Sequence, residues 1–407
     1  MKRFMIAIFF IAAAVMAMAN GAGDEEANPI KLGAVWPLAD ITGEQASKAA
    51  QQAVEEINAA GGVLGRPLEL IVIDSEFKPD KGAAALERLA TVNQVDVFIG
   101  GMASGVHLGQ IPTLKKYKKL TVWTGAASHL AEEAIGPDAD WYFHLHPWDY
   151  TQGASYVEGW SAIDERYSEI SIDKFFHAFE EGSFGSTSFD SGKILFDPIT
   201  EEYEGDSFVS AASGGGDYTA VLETAKSKNP DIFIWAGYEA DALPMLEQAK
   251  AMNFAPPFFI GAPPGWPADF GESPLAESVT LYGMWAPSIS KISDVSRKFS
   301  EGYVARNGAE PATYFAPMGY TVVYIVAEAI ERAGSLDTEA LIEAMEATSY
   351  ESPLGETITF SPSNIIKHQG IRGQKILQWQ NGRQEVIWPF EYQTAEPVYP
   401  FPGWDQR

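Results

Sequence analysis

The chain has no cysteine in 407 residues. Disulfides are excluded, and stability must come from large apolar cores instead. Basic residues are also scarce: 28 Lys and Arg stand against 55 Asp and Glu, a formal charge of −27. That balance argues against nucleic-acid binding, which needs a basic face to displace counterions. A dispersed acidic surface serves solubility. Catalytic signatures are missing too. There is no G-x-G-x-x-G, no P-loop G-K-[ST], no H-E-x-x-H and no G-x-S-x-G elbow. Among the six histidines, His144 and His146 share a strand face and could ligate a metal, but no acidic partner stands at a known spacing. Glu180-Glu181 suits a solvated loop as well as acid–base work. Nothing assembles a nucleophile, a base and an oxyanion hole. Neither enzyme activity nor a metal or other cofactor is expected.

What is present begins with a targeting segment. Lys2-Arg3 precedes an apolar run over Phe4–Met16, and Ala17-Met18-Ala19 offers a cleavage site before Asn20. Residues 1–19 therefore read as a signal peptide. The alternative, an uncleaved anchor, fits poorly with the small-residue exit and the polar GDEEANP stretch that follows. No other apolar run is long enough to span a bilayer. Without a cysteine after the signal there is no lipid-anchor site. A free protein in the periplasm is expected.

Length and a hydrophobic content of 46% suit two domains. The spacing predicts strands over Ile30–Trp36, Pro67–Asp74, Val95–Ile99 and Leu120–Trp123. Helices over Gly43–Ala60, Gly82–Val92 and Val106–Lys116 alternate with them. The order implies a parallel sheet with helices on both faces. The pattern restarts with a helix over Gln152–Tyr167. Strands at Phe175–Phe179, Asp231–Ala236 and Phe258–Gly261 then alternate with helices at Asp217–Ser227 and Ala240–Met252. Three more helices follow, over Asp294–Asn307, Met318–Ala333 and Asp337–Thr348. Strand pieces at Lys375–Trp379 and Glu385–Trp388 lead into a Pro- and aromatic-rich tail.

In open parallel sheets, ligands bind beyond the carboxyl ends of the strands. Two neighbouring strand ends are rich in small residues here: Gly100-Gly101 with Ser104, and Thr124-Gly125-Ala126-Ala127-Ser128. Small residues let a ligand reach backbone N–H groups and a helix N-terminus, which favours negative charge. The same glycines could also do no more than make tight turns.

Ordered stretches carry a family resemblance. They are AVEEINAAGGVLGRPLELIVIDSEFKPDKGAAALERL (53–89), VFIGGMASG (97–105), TGAAS (124–128), SFGST (183–187), GGDYTAVLETAKSKNPDIFIWAGY (215–238) and VYPFPGW (398–404). From Ile30 to Trp404 the chain resembles the substrate-binding proteins of ABC importers, in the family that binds leucine, isoleucine, valine and related amino acids or amides. The resemblance implies an α/β fold of the type I periplasmic-binding kind. Two doubly wound parallel-sheet lobes would be joined by three crossings, near Pro147, Pro287 and His368. One lobe would span 30–147 and 286–366, the other 148–285 and 367–407 with the tail. Hinge closure would trap the ligand, and transporter permease subunits would be the protein partners of a monomer. Ser104 and Ser128 match hydroxyls that hold a ligand carboxylate. Ala126 matches a backbone contact. Phe184, Tyr238 and Phe315 (or Tyr314 beside it) match aromatic walls.

One departure stands out. Amino-acid binders of this family hold the ligand ammonium with a carboxylate after a second-lobe strand, and the corresponding GAPPGWP (261–267) has no acid. Either Glu239, Asp241 or another acid substitutes, or the ligand carries no ammonium, since an unpaired buried charge is costly. Trp266, with Trp36, Trp123 and Trp148, suits a flat or apolar ligand body. The expected ligand is a small carboxylate: an amino acid, an amide, or an aromatic or aliphatic organic acid. A ligand sensor of the same fold and, further off, a hydrolase are the alternatives.

Overall fold

The computed structural model describes residues 28–406, so the expected signal peptide lies outside the described residues. The first sheet contains β1 (Ile30–Trp36), β2 (Leu68–Asp74), β3 (Val97–Gly100), β4 (Thr121–Trp123) and β5 (Tyr142–His144). All run parallel in the order β2-β1-β3-β4-β5. Both faces are covered, which is why β1 and β3 are nearly continuous apolar runs. Helix α1 (Ile41–Ala59) lies on one face and packs an alanine stripe against Leu32 and Ala34. On the other face α2 (Pro79–Arg88), α3 (Ser104–Tyr117) and α4 (His129–Ile135) cover Val35 and Phe98. Asp40 starts α1 by accepting the Thr42 N–H at 2.9 Å.

The second sheet repeats the winding. After α5 (Asp149–Arg166) come β6 (Lys174–Glu180), α6 (Ser183–Phe196), β7 (Glu202–Phe208), α7 (Thr219–Lys228), β8 (Ile232–Ala236), α8 (Ala242–Ala251), β9 (Phe258–Gly261) and β10 (Thr280–Gly283). Strands β7-β6-β8-β9-β10 are parallel, in the same relative order as the first five. Alternate residues of β6 serve opposite cores. Phe176 and Ala178 meet α7 and α8, whereas Phe175 meets Trp160 of α5 and Phe196 of α6.

The chain then returns to the first sheet through α9 (Asp294–Asn307), α10 (Phe315–Ala333), α11 (Thr338–Glu346) and a small hairpin of β11 (Tyr350–Glu351) and β12 (Thr357–Ile358). Helix α10 lies against α1. A Cβ on Gly319 would sit 2.3 Å from the Ala46 carbonyl oxygen, so the two backbones meet there without a side chain between them. Finally β13 (Lys375–Gln380) pairs antiparallel with β10, and β14 (Arg383–Trp388) pairs antiparallel with β13 at the edge of the second sheet. The chain thus passes between the sheets three times: after β5, after β10 and after β12. The first and third passages lie side by side. The His144 N–H donates to the His368 carbonyl at 2.9 Å, and the Gly370 N–H donates to the His144 carbonyl at 2.8 Å. Elements α4, β5, α6, β7 and β10 were not expected from the sequence pattern.

Candidate functional site

The carboxyl ends of both sheets face one cavity with about 800 Å³ of free space, counting its open mouth. The first lobe contributes the loops after β3 and β4, namely Met102–Ser104 and Ala126-Ala127. Ala103 (φ 67°) and Ala126 (φ 74°) both hold left-handed backbone, uncommon for a residue with a Cβ. Gly100 and Gly101 are not on the cavity wall, and the reading that they open a path to ligand is corrected. A Cβ on Gly101 would lie 2.0 Å from Trp123 Nε1, and one on Gly100 would lie 3.1 Å from Trp36 Cε2. The glycines admit tryptophans of their own lobe. The residues that follow them meet the cavity.

Ser104 is the first residue of α3, and its buried hydroxyl lines the cavity. Its Oγ accepts the Ala127 and Ser128 N–H groups, each at 3.1 Å. With its lone pairs engaged, the hydroxyl has a proton left to donate. The first turn of α3 adds the orphan N–H groups of any helix start. This wall is a donor cluster suited to an acceptor-rich head group. Ser128 lies beside it and not on the wall. It caps α4, and its Oγ accepts the Leu130 N–H at 3.3 Å.

The other expected residues divide. Phe184 and Tyr238 line the cavity from the second lobe, with ring centroids 5.7 Å apart, and Phe315 and Tyr314 line it from the start of α10. Trp266 does not. It is 1% exposed, fills the space over Gly261 and packs on Trp235 and Phe270. Trp36, Trp123 and Trp148 are likewise core. Tryptophan's large apolar surface is satisfied by burial, and proximity to strand ends is a poor guide to its orientation. Glu239 is also off the wall, because its carboxylate accepts the Ile41 N–H of α1 at 3.0 Å across the cleft. Asp241 is fully buried within the second lobe, where it accepts from Ser210, Ala211 and the Tyr238 N–H, each at 2.7 Å. The Tyr218 hydroxyl donates to it as well. Glu180 accepts the Gly182 and Gly185 N–H groups at the start of α6. Burial raises its pKa.

Sequence reasoning missed most of the polar wall. His146 Nε2 lies 3.3 Å from the Tyr314 hydroxyl, and its Nδ1 is 2.9 Å from the Pro147 carbonyl. Burial lowers its pKa to about 3. His144 stacks on Trp148 at 3.7 Å, and its Nε2 lies 2.9 Å from the Gly125 carbonyl. Burial lowers its pKa to about 4. Both rings are neutral and engaged in the fold. Among the described residues no cluster of three or more His, Asp or Glu could hold a metal. Asp149 is the only charged side chain lining the cavity among the described residues. Its carboxylate already accepts the Tyr150 N–H at 2.7 Å and the His129 N–H at 3.0 Å, and lies 2.9 Å from His129 Nδ1. Deeper in, Tyr156, His177, Tyr203, Tyr282 and Gln374 complete the wall. Isolated tyrosines and a strand histidine carry no local signal that would single them out.

Contacts bridge the cleft around this cavity. The Tyr238 ring meets Phe77 edge-on at 5.3 Å, and the Thr313 hydroxyl donates to the Pro264 carbonyl at 2.7 Å. Two parallel sheets that clamp a cavity between their carboxyl ends define a two-lobed solute-binding fold. The chain belongs to the periplasmic binding protein family, whose pattern it matches over residues 29–384. A Leu/Ile/Val-binding protein homolog 7 from Brucella abortus (strain 2308) is 23% identical, covering 93% of this chain and 96% of that one. The branched-chain amino acid transporter substrate binding protein LivJ from Streptococcus pneumoniae, solved with isoleucine, aligns at TM-score 0.73 and 21% identity, covering 92% and 100%. A solute binding protein from R. palustris, solved with benzoate, aligns at TM-score 0.73 and 16% identity, covering 92% and 97%. The expected two-lobed type I fold is thereby established. These relatives are solute-binding proteins and not enzymes, and membership in the family implies an extracytoplasmic location.

Proposed function

We propose that this protein captures a small carboxylate-bearing ligand outside the inner membrane and delivers it to the permease subunits of an ABC importer. The observation that carries this reading is the Ser104 donor cluster, which faces a cavity walled by aromatic side chains from both lobes. Lobes of 30–147 with 286–366 and of 148–285 with 367–407 close on the ligand as a monomer, after a signal peptide is removed near Ala19. The contacts across the cleft belong to the closed form, the form that docks on the transporter.

A ligand without an ammonium suits the wall best. Asp149 already holds three donors, Asp241 holds four, and Glu239 is engaged with α1. A buried ammonium would need one of them to give up its partners. Aromatic or aliphatic organic acids are therefore favoured over leucine or valine. Native mass spectrometry of gently purified protein identifies the mass retained, and titration of ligand-stripped protein ranks benzoate and hexanoate against leucine. Tight leucine binding with no measurable binding of either acid overturns the preference. Turnover of any bound candidate overturns the binding-only reading.

A further inference from the structure

The cavity does not stop at the cleft. It continues into the second lobe, between strands β6 to β8 and helices α5 and α6, past His177, Tyr203, Tyr156 and Gly192. His177 lies three residues before the end of β6, or about 10 Å below it at the rise of a strand. Gly192 is nine residues into α6, or about 13 Å along the helix. Its missing side chain admits the Tyr203 hydroxyl, since a Cβ there would sit 2.3 Å from that oxygen.

His177 is 5% exposed. Its Nδ1 is 2.8 Å from the Tyr203 hydroxyl, and its buried Nε2 has no partner in the protein. Buried polar groups are normally paired, so an unpartnered nitrogen on a residue that lines the cavity points to a ligand atom. Burial lowers the ring's pKa to about 3, so the imidazole is neutral. No Lys or Arg lines the cavity among the described residues, so a second negative charge at this depth would have no counter-ion. Tyr156 stacks on Tyr282 at 3.6 Å, and both residues line the cavity.

We infer that the side chamber takes the far end of an elongated monocarboxylic acid, and that His177 Nε2 hydrogen-bonds a neutral hydroxyl, phenolic or alcoholic, at that end. The inference rests on the reading above that Ser104 holds the carboxylate. The test uses 4-hydroxyphenylalkanoates of increasing chain length, each paired with the phenylalkanoate that lacks the hydroxyl. Calorimetry compares wild type with His177→Leu and His177→Gln, and phenylacetate reports on the cleft alone. In wild type, the hydroxylated acid long enough to reach His177 should bind about tenfold tighter than its deoxy partner. His177→Leu should erase that preference, His177→Gln should restore part of it, and phenylacetate should bind all three proteins alike. Phenylacetate binding with no hydroxyl preference in wild type at any length overturns this inference alone. So does a preference that survives in His177→Leu. Failure of every carboxylate to bind wild type overturns the head-group reading and this inference with it.

Discussion

The two walls of the cavity come from sheets with the same strand winding, β2-β1-β3-β4-β5 and β7-β6-β8-β9-β10, yet they present different chemistry. The first lobe meets the cavity with small residues in left-handed backbone, a serine hydroxyl and a helix start, beside the rings of Tyr314 and Phe315. The second lobe meets it with tyrosines, two phenylalanines and a neutral histidine, and lets the space run on between helix and sheet. Backbone donors are set by the fold and suit any carboxylate. Side chains on α5, α6 and β6 can differ without disturbing the winding. Under the proposed function, the head group would be read by the first wall and ligand identity by the second.

The largest effect should come from filling the tight turn behind the first wall. Gly101 has φ 96°, and a Cβ there would collide with Trp123. Gly101→Ala combines overpacking with a left-handed backbone penalty, a loss of about 2–5 kcal/mol in urea unfolding. A loss below about 1 kcal/mol would mean that the indole can move and that this wall is less rigid than its contacts imply.

The two serines sharpen the contrast within the first wall. Ser104→Ala removes a donor to the charged head group and should weaken carboxylate binding by about 1.5–3 kcal/mol, roughly 10- to 150-fold. Ser128→Ala should leave that affinity unchanged and cost only the α4 cap, about 1 kcal/mol of stability. Equal affinity losses in the two variants would show both hydroxyls reaching the ligand, against the geometry.

Much of the fold was legible because apolar runs and helical spacing record burial directly. Ile30–Trp36, Phe258–Gly261 and Asp294–Asn307 agree with the sequence expectation residue for residue. Helix α6 was not legible, and the reason is functional. Its sequence, SFGSTSFDSGKILF, keeps Ser188 and Gly192 where apolar residues would have marked a helix, and these two line the cavity. Small and polar residues on the cavity side of the helix erased the periodicity. Strand β5, three residues long, offers little alternation to read. Of the expected site, Ser104, Ala126, Phe184, Tyr238 and Phe315 lie on the wall, and each sits at a strand end or helix start that the pattern could locate. Trp266, Ser128 and Glu239 stand equally near such ends and turn elsewhere. Position along an element was readable, but the direction of a side chain depends on partners distant in sequence, such as Gly261 under Trp266 or Ile41 before Glu239.

The smallest expected effect concerns the contact that joins the two walls. Glu239 of the second lobe reaches Ile41 at the start of α1, where the helix end favours negative charge. Burial is the main cause that raises its pKa. The Ile41 N–H lowers it, and the charges of Asp40 and Glu44 raise it further. Burial raises Asp40 as well. In the proposed hinge motion, where opening returns the carboxylate toward its ordinary value, a raised pKa means that the closed form holds the proton more tightly. The contribution to closure is fully present below the ordinary value of 4.5 and is lost as pH rises through the raised value. Wild-type affinity for a probe such as hexanoate should therefore fall slightly as pH climbs through that window. Glu239→Gln keeps the length of the side chain and removes the charge, so it should flatten the profile. At neutral pH it should leave affinity within about twofold, the scale of a partly solvated ionic contact. A profile that rises with pH in wild type would mean that attraction to the helix end outweighs burial. Leucine binding abolished by Glu239→Gln would go further: it would make Glu239 the partner of a ligand ammonium and move part of the head-group recognition to the second wall.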